Sequence, residues 1–249
     1  MFKHCLLLVT LSLCLASLSA QTDFATGTGS GENAEDSLQK VAADSSNADP
    51  QFVAADQALF VIPTAYTMPK GKSAITDFEL LILQYTYAPV EHLHISAGMA
   101  FPIVSELIRS LTIGAKFNYF HQGNVQAAVF GSYSPHPDIR AANIGHVLSI
   151  GKPGGSVHFA VTKPFGEIED IGKGGVVAAL GGIADLGPRV AGIGELYLYL
   201  SKDEPLKAFN LGLRFKGKNI SWDLGGMRPI GIDTGGFIAF PFVKATFIF

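Results

Sequence analysis

Lys116, Glu195, Arg214, Asp223 and Lys244 each sit on the polar phase of a segment whose other phase is apolar. Around Arg214 the order is Phe209, Asn210, Leu211, Gly212, Leu213, Arg214, Phe215, Lys216. An extended chain turns successive side chains to opposite faces, so these charges share one surface and the Phe and Leu residues share the other. Charges presented this way act through their field rather than by covalent chemistry. Along a water-filled passage they would line the lumen and, because bases outnumber acids, favour anions weakly. Glu79 and Lys216 join the same set, and Tyr197 and Tyr199 follow Glu195 on its face. The blander reading is that the charges pair with one another across a narrow interior and fill it.

Other residue types that could do chemistry are less organised. His92 and His94 lie at i and i+2, and His158 falls on the same phase of a later segment. Such a trio has metal-ligand chemistry, but the spacing brings no third ligand close, and histidines are ordinary polar lining residues. A histidine near Ser96 or Ser156 has the types of a barrel hydrolase without any extended motif around it. Gly27-Thr28-Gly29-Ser30-Gly31 follows no strand, and Gly151 to Ser156 lacks the spacing of a phosphate loop. Asn219-Ile220-Ser221 fits a glycosylation sequon but falls on an expected membrane strand. Basic residues are scattered, which excludes a nucleic-acid surface. No catalytic, cofactor-binding or metal residue is assigned, and the chain is not read as an enzyme.

The elements that position the charges are short and alternating. Strands are expected near 58–67, 74–87, 91–102, 110–120, 124–134, 143–151, 155–164, 174–185, 190–201, 207–216, 219–227 and 236–249. Every second link between them is short: 88–90, 121–123, 152–154, 187–189 and 217–218. The intervening links, 103–109, 135–142, 165–173, 202–206 and 228–235, are longer, with 68–72 the exception. Sorting of links by length belongs to an up-and-down barrel with tight turns at one end, and a sandwich has no reason for it. Leu93, Ile95, Ala97 and Met99 alternate with His94, Ser96 and Gly98. Trp222 and Leu224 alternate with Ser221 and Asp223, and Val243, Ala245, Phe247 and Phe249 alternate with Lys244 and Thr246. Apolar residues outside and polar residues inside define an all-β, single antiparallel transmembrane barrel of about twelve strands in an up-and-down meander. A soluble lipocalin-like cup would leave this Phe, Leu and Trp surface exposed to water.

The rest of the chain agrees with export. Lys3 precedes an apolar run from Cys5 to Leu18, then Ser19, Ala20 and Gln21, the layout of a signal peptide over residues 1–20. Both cysteines lie in that leader, so the processed chain is expected to have no disulfide or thiolate chemistry. Residues 21–56 carry Asp23, Glu32, Glu35, Asp36, Asp44, Asp49 and Asp56 against Lys40 alone, and they read as a disordered acidic tail. Residues 57–249 form the barrel. Mean hydropathy is +0.30 with 48% hydrophobic residues, yet no later stretch is long and apolar enough for a spanning helix.

The segment LFVIPTAYTMPKGKSAITDFELLILQYTYAPVEHLHISAGMAFPI resembles the opening of a group of uncharacterised Gram-negative outer-membrane, porin-like barrel proteins. The likeness rests on the "PTA" strand, the "KG" turn, the return strand and the run from Val90 through Ser96 to Gly98. The end, FVKATFIF, resembles the aromatic-terminated strand read by the barrel assembly machinery. The resemblance implies an outer-membrane location, with the N-terminal tail periplasmic and lipid and that machinery as partners; it offers no catalytic residues. Pro241 departs from the pattern and implies a bulge or edge irregularity in the last strand. The expected function is a porin-like channel for passive passage of small solutes, without cofactors, its entrance narrowed by loops such as 165–173. The alternative is a non-conducting structural or adhesion barrel whose external loops bind a partner.

Overall fold

The computed structural model describes residues 55–100, 111–135, 140–166, 175–201, 205–232 and 238–249. The leader, residues 21–54 of the acidic tail and much of the longer links, 167–173 among them, lie outside these residues. Twelve strands run in chain order: β1 (Ser73–Phe78), β2 (Ile82–Val90), β3 (Leu93–Ala100), β4 (Thr112–Gln122), β5 (Val125–Pro135) and β6 (Arg140–Lys152). They continue as β7 (Gly155–Gly166), β8 (Val176–Gly187), β9 (Val190–Leu200), β10 (Leu206–Lys216), β11 (Ile220–Ile230) and β12 (Phe240–Ile248). Each strand pairs antiparallel with its sequence neighbours, and β1 pairs with β12, so the sheet closes into an up-and-down barrel.

Closure is made at the end of the tight turns. Ser73 and Phe249 exchange both main-chain hydrogen bonds at 2.9 Å. The ladder then runs from Ala74 opposite Ile248 to Phe78 opposite Lys244. Closing the sheet pairs the two edge strands that an open sheet would leave unpaired, which is what lets strands cross lipid.

Side chains sort by phase as the alternation requires. Ile95, Phe117, Val129, Phe159, Leu180, Leu196, Leu211, Phe215, Trp222 and Leu224 are exposed on the outside. His94, Lys116, Ser149, His158, Glu195, Asn210, Arg214, Asp223 and Lys244 are buried on the inside. An apolar exterior around a polar interior inverts the arrangement of a water-soluble domain and suits a lipid surround.

Two expected strands are corrected, and the errors cancel in the count. Residues 58–67 are not part of the wall. They cross the inside of the barrel as an inner segment, residues 55–68, bent back on itself by a bridge between Ala58 and Pro63. Leu59, Phe60, Val61 and Ile62 are all buried there, so no phase of the stretch faces lipid. Conversely, 74–87 is two strands, β1 and β2, joined by a turn at Glu79 and Leu80 with φ of 58° and 57°. Leu81 N donates to Phe78 O at 3.0 Å across that turn. Left-handed backbone at two non-glycine residues is disfavoured, and neither residue advertises a turn. The odd link 68–72 therefore joins the inner segment to β1 at the tight-turn end, and the first link of the opposite end is 79–81.

At Pro241 the structure shows the expected edge irregularity and no bulge. β12 pairs β11 through Pro241 opposite Gly226 in unbroken register. Val243 exchanges main-chain and side-chain hydrogen bonds with Glu79 on the β1 side, and Pro241 faces that same side two residues further on, beyond the end of β1. The ring removes a donor where no β1 partner needs one. Register shifts occur instead at Tyr87/Val90, Asn118/Phe120 and Asp185/Gly187. The "PTA" of the resemblance, residues 63–65, lies in the inner segment rather than in a hairpin of the wall.

Candidate functional site

The inner segment carries main-chain groups that cannot be left unpaired once buried. The wall meets them with ionised and polar side chains, sorted by sign. Lys116 Nζ donates to the carbonyls of Gln57, Thr64 and Tyr66 at 3.0, 2.9 and 2.7 Å. Arg214 Nη2 donates to Ala58 O at 2.7 Å and Leu59 O at 3.4 Å. Lys244 Nζ donates to the carbonyls of Leu59 and Phe60. The acid does the reverse: Glu195 Oε1 accepts Val61 N at 2.9 Å and Ile62 N at 2.8 Å. Bases thus meet carbonyls and the acid meets amides.

Neutral side chains complete the match. Ala65 N donates to Ser149 Oγ at 2.8 Å, Asn118 Nδ2 donates to Ala65 O at 2.8 Å, and Met68 N donates to His94 Nε2 at 2.6 Å. His158 is hydrogen-bonded between Ser149 and Ser156, and Tyr66 stands edge-on to its ring at 5.6 Å. His94 and His158 are thus engaged with the segment and the wall. Among the described residues, no three His, Cys, Asp or Glu side chains are grouped to hold a metal ion.

The charges also brace one another. Asp223 receives Arg214 Nε at 2.7 Å, Arg214 Nη2 at 2.9 Å and Lys244 Nζ at 2.8 Å. Asp56 stands 3.7 Å from Arg214, which places the last residue assigned to the acidic tail inside the barrel. Tyr197 Oη at 2.5 Å and Asn210 Nδ2 at 2.9 Å occupy the second oxygen of Glu195. Lys244 also lies over the Phe78 ring at 5.9 Å. Two members of the expected set fall elsewhere: Glu79 is in the β1–β2 turn, and Lys216, at the tight-turn end, pairs with Asp185 at 2.7 Å.

Packing is fitted to the segment as well. Gly212 and Gly225 face each other across β10 and β11, and Phe60 Cζ would lie 2.7 and 2.6 Å from a Cβ at either. Leu59 Cδ1 would lie 2.5 Å from a Cβ at Gly181. The missing side chains make two depressions in the wall, and Phe60 meets Phe242 edge-on at 5.2 Å beside one of them. Sequence reasoning set Asn118, Asn210 and Gly212 on the inward phase without giving them a role, and it missed Gly181, Gly225 and Ser149. A signal was present in the unbroken apolar run 58–62, which fits a stretch buried on all sides better than a strand between lipid and lumen.

The segment does not fill the whole lumen. A cavity of about 90 Å³ remains beside it, lined by Gln84, Thr86, Lys116, Ser132, Asn143, Lys244 and Thr246. It lies against β1 to β6 and β12, and Ala55, Ala58, Val61, Pro63, Phe78 and Phe130 give it more apolar than polar surface.

No protein-family model matches the chain. No curated protein matches its sequence either. Among solved structures, the chain is similar to the KdgM porin, solved in complex with disordered oligogalacturonate, at a TM-score of 0.50 and 8% identity. That match covers 71% of this chain and 95% of the other. It is also matched to OccAB3 of Acinetobacter baumannii, at a TM-score of 0.37 and 11% identity over 68% of this chain and 54% of that one. An anion-selective porin from Comamonas acidovorans gives a TM-score of 0.34 and 16% identity over 68% and 59%. With the KdgM porin the chain shares its fold, a closed antiparallel β-barrel.

Proposed function

We infer that the protein is an outer-membrane, porin-like channel for passive passage of small polar solutes, and that the inner segment sets how far it is open. The observation that carries this reading is the inversion of the barrel: apolar residues surround a wall whose interior bears Lys116, Glu195, Arg214, Asp223 and Lys244. Similarity to the KdgM porin supports it at the level of fold. In this reading the tight turns lie in the periplasm, where Ser73 and Phe249 meet. Residues 1–20 are the export signal, residues 21–54 a tail, and lipid and the assembly machinery the partners. Lys116 and Lys244, which border the cavity beside the segment, steer solutes, and the enclosed side chains catalyse nothing. With the segment in place, passage is confined to that cavity.

A second reading, a non-conducting barrel with a structural or loop-binding role, draws on the same segment, because it lies packed inside the barrel. Planar-bilayer conductance of the mature chain separates the two. Small ohmic steps that enlarge when residues 55–67 are removed are the expected result. A folded, heat-modifiable barrel that stays silent with and without those residues would leave the second reading in place.

A further inference from the structure

Seven wall side chains, Lys116, Asn118, Ser149, Glu195, Arg214, Lys244 and His94, address main-chain atoms of the inner segment. Main-chain groups are common to every peptide. Selection by side chain is left to the depressions at Gly181 and at Gly212 with Gly225, which take the apolar ends of Leu59 and Phe60. We propose that the lumen wall is a recognition site for a tightly turned apolar peptide, occupied here by residues 58–66 and able to take an equivalent segment of another polypeptide once that stretch is withdrawn.

The segment makes one tight turn of its own, with Ala58 N on Ala55 O, Leu59 N on Ile62 O, Thr64 N on Gln57 O, Thr64 Oγ1 on Asp56 O and Tyr66 N on Thr64 Oγ1. The carbonyls of Gln57, Ala58, Leu59, Phe60, Thr64, Ala65 and Tyr66 and the amides of Val61, Ile62, Ala65 and Met68 are met by the wall. A stretch held by its host is displaced by a competitor offering the same groups, provided the tether is overcome. That tether is accessible: Pro69, Lys70, Gly71 and Lys72 are all exposed at the tight-turn end, and Gly71 has φ of 82°. A sealed core would have no use for ionised groups on its wall, since burying them costs more than apolar packing of equal volume. Here each base and the acid Glu195 aims at a backbone atom, so the main chain provides affinity and the pockets provide specificity.

The inference stands whether or not the barrel conducts, and its test reads no current. A site-specific protease sequence is inserted after Lys70, the full mature chain is folded, and the insertion is cut. The released segment is washed out in mild denaturant, and a fluorescent synthetic peptide of residues 55–68 is titrated in by anisotropy. Expected are one peptide per barrel and at least tenfold weaker binding when the peptide is N-methylated at Val61 and Ile62, which removes both donors to Glu195. A peptide carrying Phe60→Ala should weaken similarly. Equal binding of the N-methylated peptide overturns main-chain recognition, and a cut segment that leaves only when the barrel unfolds overturns exchange. A barrel lacking residues 21–67, refolded with and without the peptide, is the second arm. Peptide-dependent recovery with bound label supports the proposal; equal recovery without bound label overturns it.

Discussion

Replacing Glu195 by Ala should loosen the inner segment while the wall stays closed. Glu195 accepts four hydrogen bonds, two from the segment amides of Val61 and Ile62 and two from Tyr197 and Asn210. A hydrogen bond to a charged partner contributes roughly 1.5–3 kcal/mol, so the two segment bonds together hold it by about 3–6 kcal/mol. Tyr197 and Asn210, freed of the carboxylate, can turn toward the segment and recover part of this, which favours the lower figure. At 1.4 kcal/mol per factor of ten, about 3 kcal/mol corresponds to about a hundredfold larger population of withdrawn segment. The reporter is a thiol at position 61: Val61 is 4% exposed, and both native cysteines lie in residues 1–20, so Val61→Cys in the processed chain is unique. Its modification rate by a small charged reagent, in folded barrel, measures withdrawal directly. Glu195→Ala should accelerate it about a hundredfold, and Glu195→Gln, which keeps an accepting oxygen, much less. A rate within threefold of the parent, with heat-modifiability unchanged, would refute the idea that Glu195 latches the segment.

Three further outcomes are expected. Gly181→Ala pushes a Cβ to 2.5 Å from Leu59 Cδ1 and should lower the unfolding transition by the ~1–3 kcal/mol of an overpacked site; adding Leu59→Ala should restore part of it in a double-mutant cycle, and simple additivity would refute the contact. Arg214→Glu, which a freely solvated lining residue would tolerate with only a change of ion preference, here sets a third carboxylate beside Asp56 and Asp223 and leaves Lys244 to balance them; yield of heat-modifiable barrel should fall severely, and normal assembly would refute the buried network. Burial, and secondarily Asp77, raise the Glu79 pKa against the lowering effect of the Val243 amide, so its contribution to stability is full below the ordinary carboxylate range and lost as pH rises through the folded value. Denaturant titrations from pH 4 to 7 should therefore fall more steeply for the parent than for Glu79→Gln, and parallel profiles would count against it.

How much of this could be read from sequence depends on whether a residue's partner is a neighbour in phase or lies across the lumen. The faces of β3, β10, β11 and β12 were legible because lipid on one side and polar groups on the other impose a two-residue period. So was the sorting of tight turns to one end. The path of residues 58–67 was not, since an apolar stretch with Thr and Tyr has strand chemistry wherever it ends up; only the loss of alternation from Leu59 to Ile62 distinguished it. The β1–β2 turn was invisible because Glu79 and Leu80 adopt left-handed backbone without Gly or Asn to announce it. Inward phase identified Lys116, Glu195, Arg214, Asp223 and Lys244 as a set. That they face a peptide chain instead of water depends on contacts more than a hundred positions apart for Glu195, Arg214 and Lys244.

The short β1 has a consequence for the barrel's behaviour among other chains. β1 covers β12 only from Lys244 onward, so near Pro241 the last strand presents main-chain groups with no β1 residue opposite. An uncovered strand edge is a template for pairing with a foreign strand, the first step of edge-to-edge aggregation. Proline at that spot withholds the donor such pairing would need, and its ring stands in the way of an incoming backbone. The residue that looks like a flaw in the terminal strand is thus placed where it guards the seam against unwanted neighbours.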